Sequence, residues 1–239
     1  MTSLFHQLRA ANPSLNLLPV GDPAFKRYGR LLTAYDPTEM MARASLILPR
    51  AEGVAYEPSV RALEAPSLFN EAMQCEVFGG MPIQVGWCYG HNVSLDALEY
   101  HRGSEVDLCL TDVVLLVGHV QDICWGEDEQ MGPVSYDTAK VAAFFAPAGA
   151  VVELSPWNLH YAPIQCRADQ SFATLVYLPK GTNEPLSFQV PPWGENRLLF
   201  AVNKWLLAHP SVGSLQEAGA YPGLAGENIT VTPVAAAMP

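Results

Sequence analysis

Residues 98–105 read LEYHRGSE and place Glu99, His101 and Glu105 within seven positions of one another. Two carboxylates and an imidazole are the donor set of a metal centre or of an acid–base pair. In apolar surroundings such a set is costly unless something neutralises it. Side chains alternate along a strand, so in a strand DALEYH Glu99 and His101 share one face while Leu98 and Tyr100 take the other. The triplet RGS has turn character, and Glu105 opens a second run, EVDLCL. A hairpin of these two strands returns Glu105 to the side of His101. A metal needs a further donor from elsewhere, and His160 is the candidate: it follows VVELSPW, a strand and a turn, and opens the apolar run LHYAPI. Tyr161 alternates with His160 and is expected to point away. Taken alone, the Glu–His–Glu set equally fits the polar rim of a strand, and His160 alone fits a hydrogen-bonded core histidine.

Other side chains have weaker claims, each with an ordinary alternative as a turn or surface residue. His91, in WCYGHN, ends a strand and is placed to line a binding cavity. Arg102 is suited to bidentate contact with an anionic substrate group. Lys140, just before a buried strand, is a candidate general acid or base beside Glu105, and Asp122 is its candidate partner or a substrate contact. Lys204 lies in an amphipathic stretch where snorkelling accounts for it. Cys88 and Cys109 sit in apolar runs without the electropositive setting of a reactive thiol.

The elements that must position these groups are mostly strands. The chain has 239 residues, 49% hydrophobic and 15% charged, with 20 prolines and 18 glycines. That composition builds a large core from short strands joined by turns rather than a helical bundle. From residue 81, MPIQVGWCYG, DALEYH, EVDLCLTDVVLLVGHV, KVAAFFAPAGAVVEL, LHYAPIQC and SFATLVYLP follow at short spacing. Before them lie two helical starts. DPTEMMARASLIL has Asp36 as N-cap, Pro37 at the first helical position and Glu39 completing a capping box. SLFNEAMQ has Ser67 as N-cap and Gly79-Gly80 as its stop. After the strands, GENRLLFAVNKWLLAHPS puts Leu198, Val202, Trp205 and Leu206 on one helical face and stops at Pro210. The expected organisation is a single domain, with a helical extension over 1–75, a β-barrel over 76–192, and a C-terminal helix and tail over 193–239.

A formal charge of −11 without a basic run argues against a nucleic-acid partner. Five cysteines without metal-ribbon spacing or a disulfide framework fit a reducing compartment. The start MTSLFHQLRA lacks a signal-peptide pattern, and no apolar run is long enough to span a bilayer. The expectation is a soluble cytoplasmic protein acting on a small molecule.

The segment E-Y-H-R-G-S-E resembles a variant of the first cupin motif, with Glu99 where the first histidine usually stands. FFAPAGAVVELSPWNLHYAPI resembles the second motif region, although Val152 occupies the usual histidine register and only SPWNLH supplies His160. The same stretch is similar to segments of ureidoglycolate lyases and 5-keto-4-deoxyuronate isomerases. Over roughly residues 35–235 the chain resembles the DUF4867 family, in which LEYHRSSE and LHYAP recur in this order. The cupin resemblance implies a mainly β, jelly-roll barrel with flanking helices. It implies a divalent ion held by Glu99, His101, Glu105 and His160, and leaves room for a homodimer formed through a sheet. An oxygen-rich ligand set favours Mn, Fe or Zn over copper. The implied activity is a metal-dependent isomerase, epimerase or lyase on a small sugar, sugar acid or related hydroxy or keto metabolite. The alternative is a non-catalytic cupin that binds a sugar-like metabolite.

Overall fold

The computed structural model describes residues 3–235; the first two positions of MTSLFHQLRA and the tail end 236–239 lie outside that range. Three short strands come first, β1 (Leu17–Pro19), β2 (Gly29–Leu31) and β3 (Val54–Glu57). The middle of the chain carries β4 (Ile83–Gly90), β5 (Ala97–Tyr100), β6 (Glu105–Cys109), β7 (Val113–His119) and β8 (Tyr136–Asp137). Next come β9 (Ala142–Ala146), β10 (Val151–Leu154), β11 (Asn158–Leu159), β12 (Ile164–Gln165) and β13 (Phe172–Pro179). Last are β14 (Leu199–Ala201), β15 (Lys204–Ala208) and β16 (Leu224–Ala225). The helices are short: α1 (Ser3–Ala11), α2 (Thr38–Ser45), α3 (Leu68–Ala72) and α4 (Gly213–Glu217).

The strands form separate sheets. A six-stranded sheet runs β2-β10-β6-β13-β4-β3, and a five-stranded one runs β1-β9-β7-β11 with β12 also on β7. β14-β15-β5 make a third sheet, and β16 pairs with β8. Among the described residues no sheet closes on itself. The expected jelly-roll β-barrel is therefore overturned: the fold is a mixed one of several open sheets with short helices.

Alternation organises the six-stranded sheet. In β13, Ala173, Leu175 and Tyr177 pack into an outer apolar cluster with Val106 and Leu108 of β6. Phe172, Val176 and Leu178 face an inner cluster with Cys109, Val113, Leu115 and Phe144, between the two large sheets. Met40 and Ala44 of α2 and Phe69 of α3 cap the outer cluster. Truncating a fully buried member such as Leu175 to Ala costs about 2–5 kcal/mol through lost transfer energy and the cavity left behind.

Ser67 caps α3 as expected, its Oγ accepting from Asn70 N at 3.0 Å. A π-helical turn over Met73–Val77 follows, and Gly79 and Gly80 end it at positive φ. The expected start of α2 is displaced by one residue. Pro37 is its N-cap, and Asp36 Oδ1 instead holds Thr38 through N (3.0 Å) and Oγ1 (2.6 Å).

Two expectations near LEYHRGSE change. β5 does not pair with β6: its neighbour is β15, with Leu206 opposite Glu99, while β6 lies between β10 and β13. RGS is still a turn, with Gly103 at φ +127°, but it carries the chain from one sheet to another. The expected C-terminal helix is also absent. Residues 194–198 form one 3-10 turn, and β14 and β15 then make a hairpin whose turn residue Asn203 sits at φ +57°. Its apolar residues fit a helical face as well as a strand, and the pairing with β5 decides for the strand.

Candidate metal centre

Glu99 and His160 are brought together by backbone. Glu99 N donates to His160 O at 2.6 Å and His160 N to Glu99 O at 3.0 Å, a bridge that joins β5 to the residue after β11. His101 follows at the end of β5. Glu105, the first residue of β6, shares the inner face of its strand with Asp107 and Cys109. All these polar residues are buried, Glu99 at 9% exposure and His101 at 3%.

The donor atoms converge. Glu105 Oε2 lies 3.3 Å from His101 Nε2 and 3.2 Å from His160 Nε2, and Glu99 Oε1 is 3.9 Å from His101 Nε2. Ligand atoms of Glu99, His101 and His160 all fall within 4.8 Å of one another. Donors sharing an ion through bonds of about 2.1 Å stand roughly 3.0–3.4 Å apart at octahedral and tetrahedral angles.

Both imidazoles are oriented from behind. His101 Nδ1 is paired with the carbonyl of Asn203 at 2.7 Å, and His160 Nδ1 with Asn158 Oδ1 at 3.2 Å. Each acceptor takes the Nδ1 proton, so Nε2 presents its lone pair to the cluster, as metal-ligating histidines do. Among the described residues neither Nε2 meets a hydrogen-bond donor: each faces the Glu105 carboxylate, so lone pairs oppose one another unless a proton or a cation lies between them. These buried nitrogens fit a cation: Glu99, His101 and His160 are positioned to coordinate a divalent metal ion.

Electrostatics follow the packing. Burial pushes the Glu105 carboxyl up, but the imidazoles of His160 and His101 outweigh it and hold the group below the usual carboxylate range. Burial opposes charge on His160, yet Glu105 and then Glu99 prevail and raise its pKa. Burial, and then the Glu105 carboxylate, push Asp107 well above an ordinary aspartate. The thiols of Cys88 and Cys109 are pushed up chiefly by burial, which keeps them unreactive.

The cluster faces a space of about 30 Å³, walled also by Tyr56, Asp107, Tyr161 and Asn183. Asp107 Oδ1 and Asn183 Oδ1 are further buried acceptors without partners. Tyr161, expected to point away, lines this space, because regular strand geometry ends at His160.

The remaining sequence candidates are elsewhere. Lys140 is exposed, and Asp122 does not meet it but pairs with Arg27 at 2.7 Å. His91 is exposed, its Nδ1 3.0 Å from Gln165 Oε1 beside an open groove with Arg50 and Asp169. Arg102 pairs with Glu195 and stacks 4.7 Å over the Trp205 ring. Sequence reasoning missed Asp107, although Glu105-x-Asp107-x-Cys109 is a period-2 signal. It also gave Lys204 only a snorkelling role, whereas its Nζ forms an ion pair with Glu99 Oε2.

Residues 17–229 match the family described as a domain of unknown function, DUF4867, and the chain belongs to that family. No curated protein matches it by sequence. Among solved structures, it superposes on a variant of Bacillus subtilis oxalate decarboxylase with TM-score 0.31 and 12% identity, over 54% of this chain and 26% of that one. A salicylate 1,2-dioxygenase from Pseudaminobacter salicylatoxidans gives TM-score 0.29 and 11% identity, over 59% of this chain and 31% of that one. The chain thus spans about a quarter to a third of the length of these two proteins. Likeness of this size carries no argument about activity, and neither structure bears on the lyase and isomerase resemblances. Among the described residues, no helix is long and apolar enough to cross a membrane.

Proposed function

We propose that the chain is a metal-dependent enzyme, an isomerase, epimerase or lyase for a small hydroxy or keto metabolite, with Glu99, His101, His160 and Glu105 as the ligands. The observation that carries this reading is the pair of buried Nε2 atoms, each fixed from behind through Nδ1 and each turned toward the Glu105 carboxylate with no donor between them among the described residues. A divalent ion bound there supplies Lewis acidity toward a carbonyl or hydroxyl oxygen. The chain's own groups do the rest. The bridge between Glu99 and His160 holds two donors at fixed separation, and burial excludes water from both imidazoles. Glu105, held low between the two imidazoles, serves as a ligand, and Asp107, two residues along the same face and pushed well above an ordinary aspartate, is the carboxyl placed to exchange a proton.

The space of about 30 Å³ narrows the substrate: a whole sugar ring does not fit, and only a very small molecule or one end of a larger one reaches the cluster. The same confinement favours a second reading, a site that holds its ion and a small ligand without turning it over. Metal content by mass spectrometry on tag-free protein is the test. About one divalent ion per chain, lost in both His101→Ala and His160→Ala, is the expected result. A parent without metal after incubation with Mn, Fe and Zn overturns both readings. Turnover of small hydroxy or keto acids by the loaded parent then separates enzyme from binder.

A further inference from the structure

Lys204 is a cation set against the cluster. It reaches Glu99 from β15, the strand paired with β5, and its side chain is 15% exposed. An ammonium carries three N–H donors and no acceptor. Glu99 Oε2 takes part of that capacity, and the face of Tyr161, 5.9 Å from Nζ to the ring centroid, is its other contact among the described residues. Neither the Glu99 oxygen that faces His101 nor Glu105 Oε2, between the two imidazoles, is directed to Lys204. Both of the lysine's contacts, Glu99 and Tyr161, are walls of the 30 Å³ space. Lys204 is not itself a wall of that space: it stands directly behind Glu99 and Tyr161, and its charge is felt at His160.

A metal ion bound by Glu99 would share that carboxylate with Lys204. Two positive centres so close, in a site shielded from water, repel strongly, and an anion beside both removes the cost. A neutral polyol cannot. Arg102 offers no competing anion site here, since its guanidinium is taken by Glu195 and Trp205.

We infer, building on the metal-centre reading, that Lys204 makes this an anion-recognising site: the ammonium, behind the wall formed by Glu99 and Tyr161, steadies the distal oxygen of Glu99, and its charge favours the carboxylate, or a comparable oxyanion, of a small ligand in the space. The size of the space restricts that ligand to the smallest carboxylates or to the acid end of a slender molecule.

The test uses the full chain loaded with Mn(II), titrated separately with formate and with formamide, its neutral counterpart of similar size. Binding is read by calorimetry and by water-proton relaxation at the manganese. Formate is expected to bind and displace metal-bound water, with formamide at least tenfold weaker. Lys204→Met should keep about one manganese per chain and lose tenfold or more in formate affinity, while Lys204→Arg retains most of it. Equal binding of formate and formamide by the parent overturns the inference. So does unchanged formate affinity in a manganese-loaded Lys204→Met protein. Should Lys204→Met lose its metal or fail to fold, the parent's discrimination and the Lys204→Arg variant decide. A parent that takes up no manganese, zinc or iron overturns the metal centre itself. One that takes up manganese without discriminating overturns only the role of Lys204.

Discussion

Two concave regions of the molecule differ in a way that separates space from chemistry. Beside α3 and β4 lies an open groove of about 710 Å³ whose walls include Glu64, Ser67, Asn70 and Glu71. Much of its polarity is already satisfied. Glu64 Oε1 accepts from Ser59 Oγ at 2.7 Å and from Val85 N at 3.3 Å. Asn70 donates to the carbonyls of Leu63 and Ala65 at 2.8 and 3.0 Å, and accepts from Tyr177 Oη at 3.0 Å. The interior space is less than a twentieth as large (30 against 710 Å³), yet at or beside it two imidazole nitrogens meet only the Glu105 carboxylate, and a carboxylate oxygen and an amide oxygen have no partner among the described residues. Native proteins leave few buried polar atoms unpaired, and each such atom calls for an explanation. The groove is a consequence of a short helix meeting a sheet. The small space gathers ionisable groups, two imidazoles and the carboxyls of Glu99, Glu105 and Asp107, that suit a cation.

That contrast can be broken at several strengths. Removing a donor has the largest effect: His101→Ala or His160→Ala should weaken divalent-ion binding by more than about 100-fold, beyond what supporting residues contribute, as measured by competition with a chelating dye. Removing a support comes next. Asn158→Leu deprives His160 Nδ1 of its acceptor and should cost about 10–100-fold in the same assay, with one ion still bound at saturation.

Acidity has an effect of about tenfold per pH unit, and its sign is fixed by His160. Its pKa is raised in the folded, metal-free protein, so protons compete with the ion, and affinity should fall as pH drops below that raised value. In the metal-free chain the protonated His160 contributes stability that is fully present below its unfolded pKa and lost as pH rises through the folded one. Glu105, held low, contributes stability present above its unfolded pKa and lost as pH falls through the folded one. Metal-free protein should therefore be most favoured by this pair in mildly acidic solution, and loaded protein at higher pH. Thermal melts across pH 5–8 (about the range in which imidazoles titrate), with and without metal, check both slopes.

The smallest effect belongs to the groove. Leu68, 82% exposed, should tolerate replacement by Ala within about 0.5 kcal/mol, with metal content unchanged. A change in metal content there would erase the distinction between the two regions.

Much of this architecture was legible in local sequence. Alternation in SFATLVYLP and MPIQVGWCYG marks β13 and β4, and E-x-H in a strand puts Glu99 and His101 on one face whichever strand lies next to it. Ser67 and the glycine pair announce both ends of the α3 segment. Pairing between distant strands was not legible. The apolar spacing in 198–206 satisfies helix and strand alike, and only Asn203, a residue that tolerates positive φ, hinted at a hairpin turn. Missing that turn also hid Lys204 and the carbonyl that orients His101. The barrel expectation failed for a related reason: strand count and spacing are local, whereas closure depends on which edges meet.

The bond from His101 to Asn203 spans 102 residues, and it links the donor cluster to a hairpin formed near the end of the chain. Contacts so distant in sequence carry a large closure entropy and form late relative to local ones. β4 and β13 close a loop almost as long, with partners 82 to 96 residues apart, but their eight paired positions offset that cost together and do not depend on the hairpin. The donors thus come into register only when the last third of the chain has docked. Uptake of the ion is in this sense a timekeeper for folding. In stopped-flow refolding, a metal-sensitive dye should lag the sheet signal, and on unfolding the ion should leave while the large sheets are still paired.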